Sequence, residues 1–131
     1  MSLYNAKPHW GHASEFQVSS WPWVTSSLAG TSPVEFKFGY VTRWVMVGND
    51  DASNGNKDIY FGFTNNGVAG GNHFHVQPGS IIGPLEVKCT SIWVKSDQSG
   101  GAPLSIMAGL TNVTSSDFPS VTGSNGFSGV G

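Results

Sequence analysis

The chain has 131 residues, of which 11% are charged, and its formal net charge at pH 7 is −2. That length suits one domain, and eight Phe and five Trp exclude intrinsic disorder, which combines low hydrophobicity with high net charge. Six Lys and Arg without a basic cluster argue against nucleic-acid binding, and no apolar run is long enough to span a membrane.

The low charge content also bears on the surface of the protein. Ordinary soluble domains contain ~25% charged residues, and a monomer that stays free in solution carries them over its surface. The composition therefore predicts a protein whose faces are covered by neighbouring subunits. The first residues lack the apolar core of a signal peptide, which predicts synthesis and folding in a cytoplasm.

Apolar and polar residues alternate along most of the chain, and this period of two predicts half-buried strands and an all-β fold. The predicted strands cover residues 14–19, 33–47, 58–64, 73–77, 85–95 and 103–111, with a loop over 48–57 and a short excursion over 65–72. Within 85–95 the apolar series changes from odd to even positions, which predicts a β-bulge near Thr90 and Ser91. About seven or eight short strands in all predict a single antiparallel β-sandwich or jelly roll.

The two ends of the chain differ from its middle, because they place aromatic side chains among Gly, Ser and Pro, which favour little local structure. We therefore divide the chain into an N-terminal arm of residues 1–13, a sandwich domain of residues 14–111 and a Gly/Ser-rich C-terminal arm of residues 112–131. Ordering such arms costs about 1 to 2 kcal/mol per residue in backbone entropy. An arm that is ordered needs contacts that offset this cost, so we expect the arms to lie on the domain or on adjacent subunits.

Two histidines suggest a metal site. His73 and His75 flank Phe74, so on a strand both imidazoles point to the face opposite Phe74. They could share a metal ion, with His9 or His12 completing the ligands. We favour a polar strand face instead, because the closer Cys and His spacing of structural zinc sites is missing.

Catalytic machinery is hard to find in the sequence. Cys89 continues an apolar series, which predicts a buried core residue rather than a nucleophile. The known nucleophile, phosphate-loop and dinucleotide motifs do not occur. The loop with Asp50, Asp51 and Asp58 lacks the alternating oxygen ligands and terminal Glu of a calcium loop. We therefore predict a protein that is not an enzyme, with no catalytic residue, metal or other cofactor.

The aromatic residues suggest a contact surface. In Trp21-Pro22-Trp23, two large rings beside a rigid proline are difficult to bury locally. Such rings can stack on sugars, or they can anchor a subunit interface, which the low charge content favours. The predicted contact residues share a setting of weak local order: Tyr4, Trp10, Trp21, Trp23, Phe118 and Phe127.

Several stretches between residues 40 and 111 form a familiar pattern. They are residues 40–45 (YVTRWV), 59–64 (IYFGFT), 72–79 (NHFHVQPG), 85–89 (LEVKC), 92–95 (IWVK) and 108–111 (AGLT). This order of strands and glycine turns resembles small jelly-roll proteins of tailed bacteriophages, the head decoration or cement proteins in particular. The resemblance implies a structural virion protein that binds the outer surface of an assembled capsid and reinforces it.

The resemblance also implies partners and a location. The partners would be the major capsid protein and copies of the chain itself, as a homotrimer, with neither nucleic acid nor a membrane. The location would be the capsid surface of the virion, after synthesis in the host cytoplasm.

Three alternatives remain. One is a carbohydrate- or receptor-binding β-sandwich module of a phage tail or fibre, in which the tryptophans face sugar. Another is a metal-dependent cupin-like enzyme that uses His73 and His75. Glu15, Glu35 and Glu86 lie on separate predicted strands, so spacing alone also leaves a paired-carboxylate site open.

Overall fold

The computed structural model describes residues 21–52, 57–97, 100–118 and 129–131. These residues form eight strands in two four-stranded antiparallel sheets, so the predicted all-β sandwich is confirmed. The strands are β1 (Trp21–Ala29), β2 (Val34–Lys37), β3 (Tyr40–Asn49), β4 (Ile59–Gly62), β5 (Phe74–Val76), β6 (Ile81–Leu85), β7 (Ser91–Ser96) and β8 (Ala102–Thr114). A short helix, α1 (Asn65–Ala69), joins β4 to β5, and a 3-10 helix (Ser115–Asp117) follows β8.

The strands pair in a nested order. Sheet A has the order β1-β8-β3-β6, and sheet B has the order β2-β7-β4-β5. The first strand pairs with the last, β2 with β7, β3 with β6 and β4 with β5, and every pair is antiparallel. The chain therefore runs as one long hairpin, four strands out and four strands back, whose strand pairs are divided between the two sheets.

The core lies between the sheets and contains the inward side chains of both. Ile106 on β8 stands at the centre of sheet A, in register with Thr25 on β1 and Val47 on β3. The largest fully buried side chains include Val45, Val47, Ile59, Ile92, Val94, Leu104 and Ile106. The alternation predicted for residues 58–64 and 103–111 therefore marks the inward faces of β4 and β8.

The predicted strand over residues 33–47 is two strands. Gly39 separates β2 from β3 and has a φ of 82°, a left-handed conformation that favours glycine over residues with a side chain. The break at Gly39 lets β2 join sheet B while β3 joins sheet A.

The predicted single strand over residues 85–95, with its β-bulge near Thr90 and Ser91, is wrong. Sheet A contains β6, which ends at Leu85, and sheet B contains β7, which begins at Ser91, so residues 86–90 cross between the sheets. The apolar residues shift from odd to even positions because the chain passes from sheet A to sheet B. Register shifts occur in β3 instead.

Other bounds also differ from the prediction. The sequence pattern did not predict β1, and the predicted strand over 14–19 lies outside the described residues together with the arm over 1–13. Residues 112–114 continue β8 beyond the predicted domain boundary. Val113 is buried and packs with Val41 and Phe118 in a small second cluster.

Residues 129–131, at the end of the predicted C-terminal arm, lie against this same domain. The Thr64 hydroxyl donates a 2.8 Å hydrogen bond to the carbonyl of Val130. Gly67 allows this approach, because a Cβ at that position would collide with the Val130 carbonyl oxygen. This part of the arm therefore packs where β4 meets α1.

Thr42 links β3 to the crossing residues 86–90, and this link makes a testable prediction. The Thr42 hydroxyl donates to the Val87 carbonyl at 2.8 Å and accepts from the Cys89 N–H at 3.0 Å, and Thr42 is fully buried. Thr42→Val keeps the shape of the side chain but leaves both backbone groups unpaired, so we expect urea unfolding to show a loss of about 1 to 3 kcal/mol. Thr31→Val, at an exposed position between β1 and β2, is the control and should change stability by less than about 0.5 kcal/mol. Equal losses in the two variants would contradict the role given to Thr42.

Candidate functional site

The outer face of sheet A is apolar. Val24 on β1, Met107 on β8 and Met46 on β3 form a row of register partners across it. Leu28 lies further along β1, and Ile81 on β6 pairs with β3 at the opposite edge. Val24, Leu28 and Ile81 are 65%, 60% and 65% exposed. We call Val24, Leu28, Met46, Ile81 and Met107 the apolar face.

This side of the protein is also nearly free of charge. The four strands of sheet A contain one charged residue, Arg43. Asp50, just beyond β3, places its carboxylate on this outer face, where it accepts a hydrogen bond from the Ser105 hydroxyl and lies next to Gly48.

The hydroxyls of Ser26 and Ser105 form a polar row across the face between Val24 and Leu28. Exposed apolar residues with few charges are typical of a protein-interaction site, because contact removes hydrocarbon from water and desolvates few ions.

The outer face of sheet B has the opposite character. Glu35 and Lys37 lie on β2 with their charged atoms 3.8 Å apart, and Lys95 on β7 lies 3.6 Å from Asp97. Tyr60 on β4 is the register partner of Lys95 on β7 and of His75 on β5. The sandwich therefore has one apolar side and one charged side.

Three rings gather on the charged side. The Tyr60 ring lies 4.6 Å from the His73 ring and 4.3 Å from the His75 ring, measured between centroids, and the two histidine rings are 5.3 Å apart. We call Tyr60, His73 and His75 the ring cluster. The predicted common face of the two imidazoles agrees with this geometry.

A carboxylate holds one side of the ring cluster in place. The Tyr60 hydroxyl donates a hydrogen bond to Asp97, and this bond, followed by burial, raises the pKa of Tyr60 to about 12. The same hydrogen bond is the main cause that holds the pKa of Asp97 below its usual range, with Lys95 contributing by charge attraction. At neutral pH the cluster therefore contains a neutral phenol donating to an ionised carboxylate.

The predicted contact residues fall in different places. Trp21 is half exposed at the start of β1, with its ring 5.5 Å from that of Tyr40. Trp23 packs on the core, edge-on to Phe38 at 4.8 Å. Phe118 packs on the small second cluster. Tyr4, Trp10 and Phe127 lie outside the described residues. The structure does not bring Trp21, Trp23 and Phe118 together into one surface, and the sequence-based prediction did not include the apolar face.

His73 and His75 lie together in the ring cluster, whereas the loop aspartates do not converge on one point. The described residues contain no group of three His, Cys, Asp or Glu side chains that could hold a metal ion. Asp51 accepts from the Lys57 N–H at 3.3 Å, and Asp58 lies 3.9 Å from His75. His9 and His12 lie outside the described residues. The three loop aspartates therefore face different partners.

Cys89 lines an open pocket of about 570 Å³ beside the crossing residues 86–90, together with Phe63, Val87 and Phe118. The thiol is buried, as predicted, and burial raises its pKa to about 11 although hydrogen bonding to Thr42 acts in the opposite direction. At neutral pH Cys89 therefore remains a thiol, which is a poor nucleophile.

Comparison with known proteins adds no relative. No family model, curated protein or solved structure matched the chain. Among the described residues, no helix is long and apolar enough to cross a membrane. The functional argument therefore depends on the two unlike sides of the sandwich.

Proposed function

We propose that this chain is a structural virion protein, a decoration or cement protein that binds the outer surface of a phage head and stabilises contacts between major capsid subunits. The observation that carries the proposal is the apolar face on an almost uncharged sheet. In this proposal the fold is a jelly roll, which the nested pairing of first strand with last supports. The protein acts by binding alone, without catalysis.

The apolar face suits attachment to a protein shell. Each buried Å² of apolar surface contributes about 25 cal/mol, and the near absence of charge in sheet A removes most of the cost of desolvating ions. Many copies on one shell act together, because each copy that bridges neighbouring capsid subunits adds its own contacts. Weak individual sites can therefore reinforce a whole particle.

The proposed partners are the major capsid protein and further copies of the chain, as a homotrimer. One edge of sheet A is β1, nine residues long and without a charged side chain. The exposed edge strand of a β-sheet usually carries charged side chains, which prevent a further strand from pairing with it. The uncharged edge supports strand addition by a neighbouring copy, which is a known mode of association.

The proposal is tested by mixing the purified chain with undecorated heads of the phage that encodes it and separating heads from free protein by sedimentation. We expect the chain to sediment with the heads and to saturate at a fixed ratio to the major capsid protein. Failure to bind the heads would contradict the proposal. Glycan binding by the purified chain in its place would favour the alternative of a receptor-binding module.

Charged substitutions test which side binds. Val24→Glu and Met107→Glu place a carboxylate in the apolar face, and burying it should weaken attachment at least about tenfold, equivalent to about 1.4 kcal/mol. Phe74→Glu is the matched control, because Phe74 on β5 is 58% exposed at the edge of sheet B. If Phe74→Glu alone lost attachment, the binding surface would lie on sheet B instead.

A further inference from the structure

Both histidines of the ring cluster have one ring nitrogen facing an oxygen acceptor. The Nδ1 atom of His73 lies 3.1 Å from the carbonyl oxygen of Val68. A carbonyl oxygen only accepts hydrogen bonds, so Nδ1 carries the proton and Nε2 keeps its lone pair. The Nδ1 atom of His75 lies 3.9 Å from the Asp58 carboxylate, which favours the same tautomer. Metal-binding histidines commonly have this arrangement, in which the other ring N–H points to a carbonyl or carboxylate.

The distance between the two rings also fits a shared ion. Zinc binds imidazole nitrogen at about 2.0 to 2.1 Å, which places the ion about 3.2 Å from the ring centre. Two imidazoles on a tetrahedral ion then have ring centres about 5.2 Å apart. The His73 and His75 centroids are 5.3 Å apart. The separation of the two rings therefore matches that of two imidazoles on one ion.

The surroundings hold the pair in place before any ion arrives. His75 pairs in register with Tyr60, whose ring contacts both histidine rings. His73 is anchored through Val68, a fully buried residue of α1. The start of α1 is fixed in turn by the Thr64 side chain, which accepts from the Gly67 N–H. Ligands fixed by their neighbours lose less entropy when they bind.

We propose that His73 and His75 bind one divalent transition-metal ion, such as Zn²⁺, through their two Nε2 atoms on the outer face of sheet B. Imidazole is a preferred ligand of Zn²⁺, Ni²⁺ and Cu²⁺. No third His, Cys, Asp or Glu completes a cage within the described part of the chain, so the proposal rests on these two ligands alone. The site is independent of the proposed function, because the apolar face belongs to the other sheet.

The test is titration of the full chain with Zn²⁺ alone by calorimetry, together with thermal unfolding at each zinc concentration. We expect one ion per chain and a melting temperature that rises with zinc, because the ion binds the folded pair in preference to the unfolded chain. Two-dimensional NMR should show the Nε2 resonances of His73 and His75 shifting on binding. Absence of binding, or binding without these shifts, would overturn the proposal.

Three variants separate a ligand role from a structural one. His73→Asn keeps a donor near the Val68 carbonyl but removes Nε2, so the chain should fold and lose zinc binding. His75→Ala should lose it as well. Asp58→Asn keeps both ligands and should weaken binding by about tenfold, as expected when the partner of a ligating histidine is altered.

The double variant His9→Ala with His12→Ala is the matched control for the number of imidazoles. Loss of zinc binding in this variant, with binding kept in the double variant His73→Ala with His75→Ala, would reject the site.

Discussion

Replacing Ile106 by alanine is expected to lower the free energy of unfolding by about 2 to 5 kcal/mol. Ile106 is 1% exposed at the centre of β8, and β8 lies between β1 and β3. Strands paired on both sides cannot move inward, so the deleted methyl groups leave a cavity. Domains of this size are stable by only about 5 to 15 kcal/mol, so the variant should be visibly weakened in urea unfolding.

Met107→Ala is the control for Ile106→Ala. Met107 is the next residue on the same strand, but it points outward in the apolar face and is 40% exposed. Truncating it removes less buried surface than Ile106→Ala and leaves no closed cavity, so we expect a clearly smaller loss, about 1 kcal/mol, in the free chain. A loss as large as that of Ile106→Ala would contradict the assignment of inner and outer faces.

The second large effect is expected at Asn49, at the end of β3. Its side-chain amide donates to the carbonyls of Lys57 and Val76 at 2.7 and 2.9 Å, and its oxygen accepts from the Asp51 N–H at 3.0 Å. Asn49 is 2% exposed. Asn49→Leu leaves these three backbone groups without their partner, and each costs about 1 to 3 kcal/mol. We expect urea unfolding to show a loss of about 3 kcal/mol or more.

Two further variants sharpen this experiment. Asn66→Leu makes the same replacement at an exposed position of α1 and should change stability by less than about 0.5 kcal/mol. Asn49→Asp keeps the acceptor but turns a carboxylate oxygen toward two carbonyls, which raises its pKa in the folded state. The loss in the free energy of unfolding relative to the parent chain should therefore shrink as the pH falls, because the protonated carboxyl becomes a hydrogen-bond donor. A pH-independent deficit would argue against the amide contacts.

The sequence predicted those strands whose inner and outer residues differ. In β8 the apolar positions Leu104, Ile106 and Ala108 all point inward, so the period of two is visible. Residues 85–95 misled the prediction, because nothing local shows that Glu86 and its neighbours leave one sheet for the other. The partner of a strand lies far along the chain and gives no local signal.

The apolar face escaped prediction for a related reason. In β1 the outward residues include Val24 and Leu28, whereas the inward ones include Thr25 and Ser27. This is the reverse of an ordinary half-buried strand, so the segment resembles irregular chain. The ring cluster was half predicted: the spacing of His73 and His75 put them on one face, but their contacts with Val68, Asp58 and Tyr60 arise from the fold.

The nested pairing constrains how the chain can be made. The last strand, β8, fills the gap between β1 and β3, so sheet A cannot close before residue 114 has left the ribosome. Pairing of strands this far apart in sequence is slow, so we expect the closing of sheet A to limit the folding rate. Since Met107 belongs to β8, a folding intermediate that has not yet paired its last strand also lacks the middle of the apolar face. Closing of sheet A and formation of its outer surface are therefore a single event.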